Sequence, residues 1–326
     1  MRILILDDYQ RAALGLADWV RLGAQVDVLD RTPVDDDERV RQFAGYDVLV
    51  AMRERTPFSA ALVRRLPDLR LLVTTGMVNA AIDLPACTAA GVTVCGAPGS
   101  KASAGATAEM AWALILALAK RLLPSAQALH EGRWQPHMAQ SLAGRTLGLV
   151  GLGRLGTRMA GIGAALGMRV IAWSPNLTPE RASAGGAEAV DKQTLFSTAD
   201  VVSLHLVLAD STRGVVDVAA LAAMQPHALL VNTARGALVD RQALLDALRD
   251  ERIGGAGLDV FHTEPLAADD ALLVMSNVLA SPHLGYVTED NMRAFYKNAI
   301  AAIEAWRAGA PMRVLTAPLP PNLSNG

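Results

Sequence analysis

Three polar side chains late in the chain have the types needed for proton transfer and for holding an anion. Arg235 ends the run Val231-Asn232-Thr233-Ala234-Arg235, Glu264 lies in Asp259-Val260-Phe261-His262-Thr263-Glu264-Pro265, and His283 lies in Ser281-Pro282-His283-Leu284-Gly285. Arginine offers a carboxylate a planar fork of donors. Histidine gives and takes a proton near neutral pH, and glutamate can act as an acid, a base or an acceptor. Each of the three stands at or just past the end of an apolar run, where ligands collect in an open α/β sheet. Taken singly each also has a plain explanation: a surface ion pair, a solvated loop carboxylate and a capped core histidine.

A glycine fingerprint supplies the other half of such a site. Gly151-Leu152-Gly153-Arg154-Leu155-Gly156 follows the apolar run 146–150 and opens a helix-like stretch over 157–166. The first glycine permits the strand-to-helix turn, the second lets backbone approach a pyrophosphate, and the third lets helix pack on strand. The helix N-terminus then turns its unpaired N–H groups and positive dipole end towards the phosphates. With 27 glycines in 326 residues the pattern is weak on count alone. Its setting, strand before and helix plus a second strand over 168–173 after, makes a dinucleotide site the expectation over a merely structural turn.

The elements that must carry these residues repeat along the chain. Apolar runs at 3–6, 26–29, 48–51, 71–74 and 92–95 read as strands buried on both faces, with helices such as 59–65 and 84–90 between them. A long apolar helix is expected over 103–122. A second series then gives strands at 146–150, 169–173, 201–204, 228–232, 257–260 and 278–280, and a last helix at 289–308. Continuous apolar strands joined by helices predict parallel sheets. The fold expected is α/β, two doubly wound parallel-sheet domains with a cleft between them for cofactor and substrate.

Bulk properties exclude several classes. The formal charge is −2, with no basic stripe carrying interleaved aromatics, so nucleic acid is not expected as a partner. No run of eighteen apolar residues occurs, so no membrane partner is expected, and the segment 110–119 reads as a core helix. A strand starts at once, so no signal peptide is expected before it. Cys87 and Cys95 lack metal-ligand spacing and read as reduced, half-buried thiols of a cytoplasmic protein, with no metal site. The acidic run 35–38 is expected to open a solvated helix, and the tail 317–326, with three prolines, to be poorly ordered.

Taken together and in this order, the segments 151–156, 232–236, 258–266 and 281–285 resemble the signature blocks of the D-isomer-specific 2-hydroxyacid dehydrogenase family. Ala108-Glu109-Met110-Ala111, Gly132-Arg133-Trp134 and Leu142-Ala143-Gly144-Arg145-Thr146-Leu147-Gly148 resemble its linker and lead-in, so the likeness covers nearly the whole chain. It implies a flavodoxin-like substrate domain, 1–101 plus 286–326, and a Rossmann-type dinucleotide-binding domain, 102–285. It also implies an NAD(P)-dependent oxidoreductase of the glyoxylate/hydroxypyruvate type, moving a hydride between nicotinamide and a small 2-oxo or D-2-hydroxy acid. By the same likeness Arg235 would grip the substrate carboxylate, His283 would be the acid/base and Glu264 its partner. The cofactor would be held by Gly151, Gly153, Arg154, Leu155, Gly156, Ser174, Thr233, Ala234 and Asp259, the last on the nicotinamide carboxamide; Asp259 can instead cap a turn. Dimerisation through the 103–122 region is implied too, although an apolar helix there fits core packing equally well.

The chain departs from the family pattern twice. The substrate loop normally carries two glycines, an acid and an asparagine; here Gly76-Met77-Val78-Asn79-Ala80-Ala81-Ile82-Asp83 keeps the first glycine and the Ile-Asp ending. Backbone donors of Gly76, Met77 and Val78 survive those changes. Met52, Arg53, Met77, Trp134, His137 and Tyr286 are further pocket candidates, each open to a packing or surface role. Ser174 replaces the acid that binds the adenosine ribose hydroxyls, which favours NADP(H) over NAD(H), with Arg154 and Arg181 the nearest cations. Two other readings stay open: a dinucleotide-sensing corepressor, and formate dehydrogenase, whose members place glutamine where Glu264 stands.

Overall fold

A computed structural model describes residues 1–316, and the chain falls into two compact units. The tail at 317–326 lies outside the described residues. One unit is residues 1–104 with the segment from Thr288 onward; the other is 105–287.

The first unit contains β1 (Arg2–Ile5), α1 (Ala13–Leu16), β2 (Gln25–Val28), α2 (Asp36–Phe43), β3 (Val48–Ala51) and α3 (Ala60–Val63). It continues through β4 (Leu71–Thr75), α4 (Leu84–Ala89) and β5 (Thr93–Ala97). Its strands form a parallel sheet in the order β2-β1-β3-β4-β5, the flavodoxin-like order. β3 and β4 are buried along their whole length, which is why they read as unbroken apolar runs. The acidic run does open a helix: Asp35 accepts the Glu38 N–H at 2.7 Å, and three acids occupy the first turn of α2, where the helix dipole favours them.

The second unit starts with α5 (Ala106–Ala119) and α6 (Leu122–His130), then β6 (Thr146–Val150), α7 (Arg154–Ala165), β7 (Arg169–Trp173), α8 (Pro179–Ala184) and β8 (Glu188–Ala189). α9 (Lys192–Thr198), β9 (Val201–Leu204), α10 (Val218–Ala223), β10 (Leu229–Asn232), α11 (Arg241–Arg249), β11 (Gly255–Leu258) and β12 (Val278–Ala280) complete it. The parallel sheet runs β12-β11-β10-β9-β6-β7-β8, so its order reverses between β6 and β9. That reversal is the crevice where dinucleotides sit in this topology. α12 (Glu289–Arg307) belongs to the first unit and packs on β4 and β5.

Several expectations are corrected. The single helix over 103–122 is a 3-10 turn at Ala102–Gly105, then α5, then a break at Arg121, whose φ of 51° is left-handed, before α6. Helix α7 begins three residues earlier than expected, inside the fingerprint. Cys87 and Cys95 are not half-buried but fully enclosed, and burial pushes the Cys87 thiol up to about 11. Among the described residues no helix is long and apolar enough to cross a membrane.

Candidate active site

The ends of β10, β11 and β12 build the polar centre of the second unit. Past β10, Asn232 folds the chain on itself: its amide donates to Arg235 O at 2.8 Å and its oxygen accepts the Ala234 N–H at 3.0 Å. That turn fixes where the Arg235 side chain leaves the backbone. At Gly236 an added Cβ would stand 2.2 Å from the Phe261 carbonyl carbon, so only glycine lets the loop after β10 touch the loop after β11. Arg235 is thereby brought near Glu264, on which its positive charge acts.

Glu264 spans two partners. One carboxylate oxygen accepts the Phe261 N–H at 2.8 Å and the other lies 2.6 Å from His283 Nδ1. Burial pushes the Glu264 carboxyl up, but the hydrogen bond and charge of His283, the Phe261 N–H and the charge of Arg235 outweigh it and hold the group below its usual range. The pairing leaves Nε2 as the imidazole nitrogen for chemistry. His283 sits at φ 54°, a left-handed conformation uncommon for a residue with a side chain.

Asp259 holds that strained loop in place. It is fully buried. Its oxygens accept Ser281 Oγ–H at 2.6 Å and the N–H groups of Leu284 and Gly285 at 2.7 Å each. Burial raises its carboxyl, against those three bonds and the charge of His283. The turn-capping alternative for Asp259 is therefore what the contacts display.

The residues around Gly151 fit a nicotinamide dinucleotide. Gly151 has φ 100°, and a Cβ there would meet the His205 carbonyl at 2.8 Å across the β6–β9 crevice. A Cβ on Gly156 would stand 2.2 Å from Gly151 O, the close helix-to-strand approach the spacing implies. Gly153, by contrast, has open space where a Cβ would go, and it caps α7 without any side chain, so the first N–H groups of that helix face outward unclaimed by a cap. Thr233 Oγ1, just past β10, is buried with no hydrogen-bond partner among the described residues. Arg154 is exposed on the first turn of α7, with Leu155 half-buried behind it. Ser174 follows β7, and Arg181 folds onto the same loop, donating to Asn176 O at 2.8 Å.

The loop carrying Gly76, Met77 and Val78 follows β4 in the first unit. Met77 and Val78 are exposed, whereas Gly76 N–H is bonded to Ala97 O at 2.6 Å. Asn79, which sequence reasoning passed over, organises this loop. Its amide nitrogen donates to Arg53 O at 2.6 Å and Thr74 Oγ1 at 2.9 Å, and its oxygen accepts the Ala81 N–H at 2.9 Å. A second residue missed was His205, at the end of β9. Its Nε2 is hydrogen-bonded to Ser203 Oγ at 2.9 Å, and burial pulls its imidazole down to about 4. Its only signal in the sequence was its place just past an apolar run. No group of three or more His, Cys, Asp or Glu side chains able to hold a metal occurs among the described residues.

Comparison with known proteins matches residues 112–285 to a family model described as D-isomer specific 2-hydroxyacid dehydrogenase, NAD binding domain. D-3-phosphoglycerate dehydrogenase of a Synechocystis strain is 33% identical over 291 residues, 89% of this chain and 51% of that protein. The chain thus spans about half the length of the curated phosphoglycerate dehydrogenases it matches. Glyoxylate reductase of Thermococcus litoralis is 34% identical over 273 residues, 81% of this chain and 79% of that protein. A crystal structure described as phosphoglycerate oxidoreductase from Vibrio cholerae is 38% identical with a TM-score of 0.90, covering 95% of this chain and 100% of that one.

Proposed function

This chain belongs to the D-isomer-specific 2-hydroxyacid dehydrogenase family, and from that premise we propose that it interconverts a small 2-oxo acid and its D-2-hydroxy acid using NADP(H) or NAD(H). The observation that carries the reading is the Glu264–His283 pair with Arg235 acting on it, at the carboxyl ends of neighbouring strands. A dinucleotide, when bound, would supply or take up the hydride at the 2-carbon. Everything else falls to the chain's own groups.

Arg235 grips the substrate carboxylate and polarises the 2-oxo group. In the first unit the backbone donors we infer for the substrate loop are the Met77 and Val78 N–H groups, since the Gly76 N–H is taken by Ala97 O. His283 passes a proton from Nε2 to the carbonyl oxygen on reduction and takes the hydroxyl proton on oxidation, while Nδ1–H stays donated to Glu264. Gly151, Gly153, Arg154, Leu155 and Gly156 would form the loop and helix start that hold the pyrophosphate, and Thr233 and Ala234 would hold the nicotinamide half. Asp259 acts first as the brace of the His283 loop, with a lone pair left for a carboxamide. Ser174 accepts a 2′-phosphate where an acid would repel it, so NADP(H) is favoured.

Glyoxylate or hydroxypyruvate is the substrate type we infer. A panel of glyoxylate, hydroxypyruvate, its 3-phosphate and pyruvate, each with NADPH and NADH, tests this. Dinucleotide binding without turnover on any of them would instead support the sensor reading.

We also infer a cytoplasmic homodimer. The apolar face of α5 is spent on the core, but Leu122, Leu123, Leu129, Trp134 and Met138 beside it are exposed. Light scattering on the native chain and on Leu123→Asp/Leu129→Asp checks the dimer, which the double variant should dissociate.

A further inference from the structure

The reaction assigns a proton to His283 Nε2, yet the hydrogen bond to Glu264 fixes the imidazole only at the opposite nitrogen. A ring held at one atom can still rock, and the reacting nitrogen is the atom that moves furthest. Errors of about 1 Å at reacting groups cost on the order of 100-fold in rate. Something must hold the plane of this ring.

The loop supplies a neighbour of the right shape. Asp259 pins the Leu284 and Gly285 N–H groups, and Val287 N–H closes a turn on Leu284 O at 2.9 Å. Between those fixed points Tyr286 is held half-buried, with its ring next to His283. The ring centroids are 5.5 Å apart and the planes cross at 80°, an edge-to-face contact. Aromatic pairs prefer that geometry, and a ring standing across another resists its rocking in a way a flexible side chain does not. The same backbone that strains His283 into φ 54° thus delivers the group that steadies it.

We propose that Tyr286 is a positioning residue for the acid/base: its ring, and not its hydroxyl, keeps the His283 imidazole aligned with Glu264 on one side and the substrate on the other. The proposal rests on the dehydrogenase reading above for its kinetic consequence, but the ring contact stands apart from that reading.

The test compares Tyr286→Phe, Tyr286→Leu and Tyr286→Ala in the full chain. With the best substrate of the wild type, the Leu and Ala variants should lose about 5- to 20-fold in kcat, with KM within about twofold and dinucleotide affinity unchanged. The Phe variant should keep at least about half of the wild-type kcat, since the ring remains. In the ligand-free protein, the His283 ring-proton resonance, assigned by its loss in His283→Gln, should move in the Leu and Ala variants and hold nearly still in the Phe variant. Wild-type kcat in Tyr286→Ala overturns the proposal. So does a Phe variant as slow as the Ala variant, which would give the effect to the hydroxyl. If the wild type itself reduces none of the 2-oxo acids, the functional reading fails, and the resonance alone decides whether Tyr286 orders the imidazole.

Discussion

Glu264 stands 2.6 Å from His283 Nδ1 through one carboxylate oxygen while the other is held by the Phe261 N–H at 2.8 Å. The carboxylate is therefore fixed before the histidine meets it, and the pair shares a charge that suits an imidazolium. Glu264→Gln keeps the shape and removes that charge. Without that orienting partner the imidazole is held less well for the transfer, so kcat should fall by about 10-fold or more while dinucleotide affinity holds. An unchanged kcat would separate the two residues. The Glu264 carboxyl is depressed in the fold, so its contribution to stability is present above the usual glutamate range and is lost only as pH falls through the lowered value.

His283→Gln removes the proton donor and leaves the loop and the fingerprint alone. Turnover should fall by about 100- to 10,000-fold, the usual share of general acid–base catalysis. Dinucleotide binding, followed by quenching of intrinsic fluorescence, should change little. Retained turnover would remove His283 from the chemistry.

Ser174 follows β7 at the place where an acid would meet the ribose hydroxyls. Ser174→Asp should raise KM for NADPH and lower it for NADH, moving the ratio of kcat/KM by about 10-fold or more towards NADH. Steady-state kinetics with both cofactors read this directly. No movement would mean that the serine does not discriminate, and would turn attention to Arg181, folded onto the same loop through Asn176 O.

Most strands of both sheets were legible in the sequence because strands buried on two faces exclude charged residues: Leu71–Thr75 and Val201–Leu204 hold only apolar residues, threonine and serine and are buried throughout, whereas the two-residue edge strand β8 gave no such run. The break between α5 and α6 was not read, since Arg121 turns left-handed without being glycine, and Pro124 in the first turn of α6 was its one signal. Arg235, Glu264 and His283 could be named from their type and their place at strand ends. Asp259 could be named as a turn cap but not its partners Ser281 and Gly285, and the work of Asn79 and Tyr286 could not be named, because each acts through groups fixed only by the folded loops: Arg53 and Thr74, and the His283 ring.

The fingerprint glycines make different demands, so their alanine variants should part company. A Cβ on Gly156 meets Gly151 O at 2.2 Å, backbone against backbone, which no rotamer relieves. Gly156→Ala should lose about 2–4 kcal/mol of stability, seen as a lower Tm, together with dinucleotide affinity. A Cβ on Gly153 meets nothing within 4 Å, so Gly153→Ala should melt like the wild type. It should still bind dinucleotide at least about 10-fold more weakly, because the methyl occupies space left for the pyrophosphate. Equal binding by wild type and Gly153→Ala would remove that loop as the phosphate site.

His205 predicts a pH dependence that belongs to the fold and not to the reaction. Its backbone N–H donates to Val150 O at 2.8 Å beside Gly151, and burial pulls its imidazole from 6.5 down to about 4. Between those values the unfolded chain takes up a proton that the folded chain refuses. Stability therefore falls as pH drops through that window, by up to about 3 kcal/mol, and levels off below it. Denaturant titrations of wild type and His205→Asn at several pH values between 7 and 4 isolate the effect. The variant should be somewhat less stable at neutral pH, where the Ser203 contact is lost, and should close the gap with the wild type as the solution is acidified. A gap that stays constant across the window would mean that this imidazole accepts its proton as readily folded as unfolded.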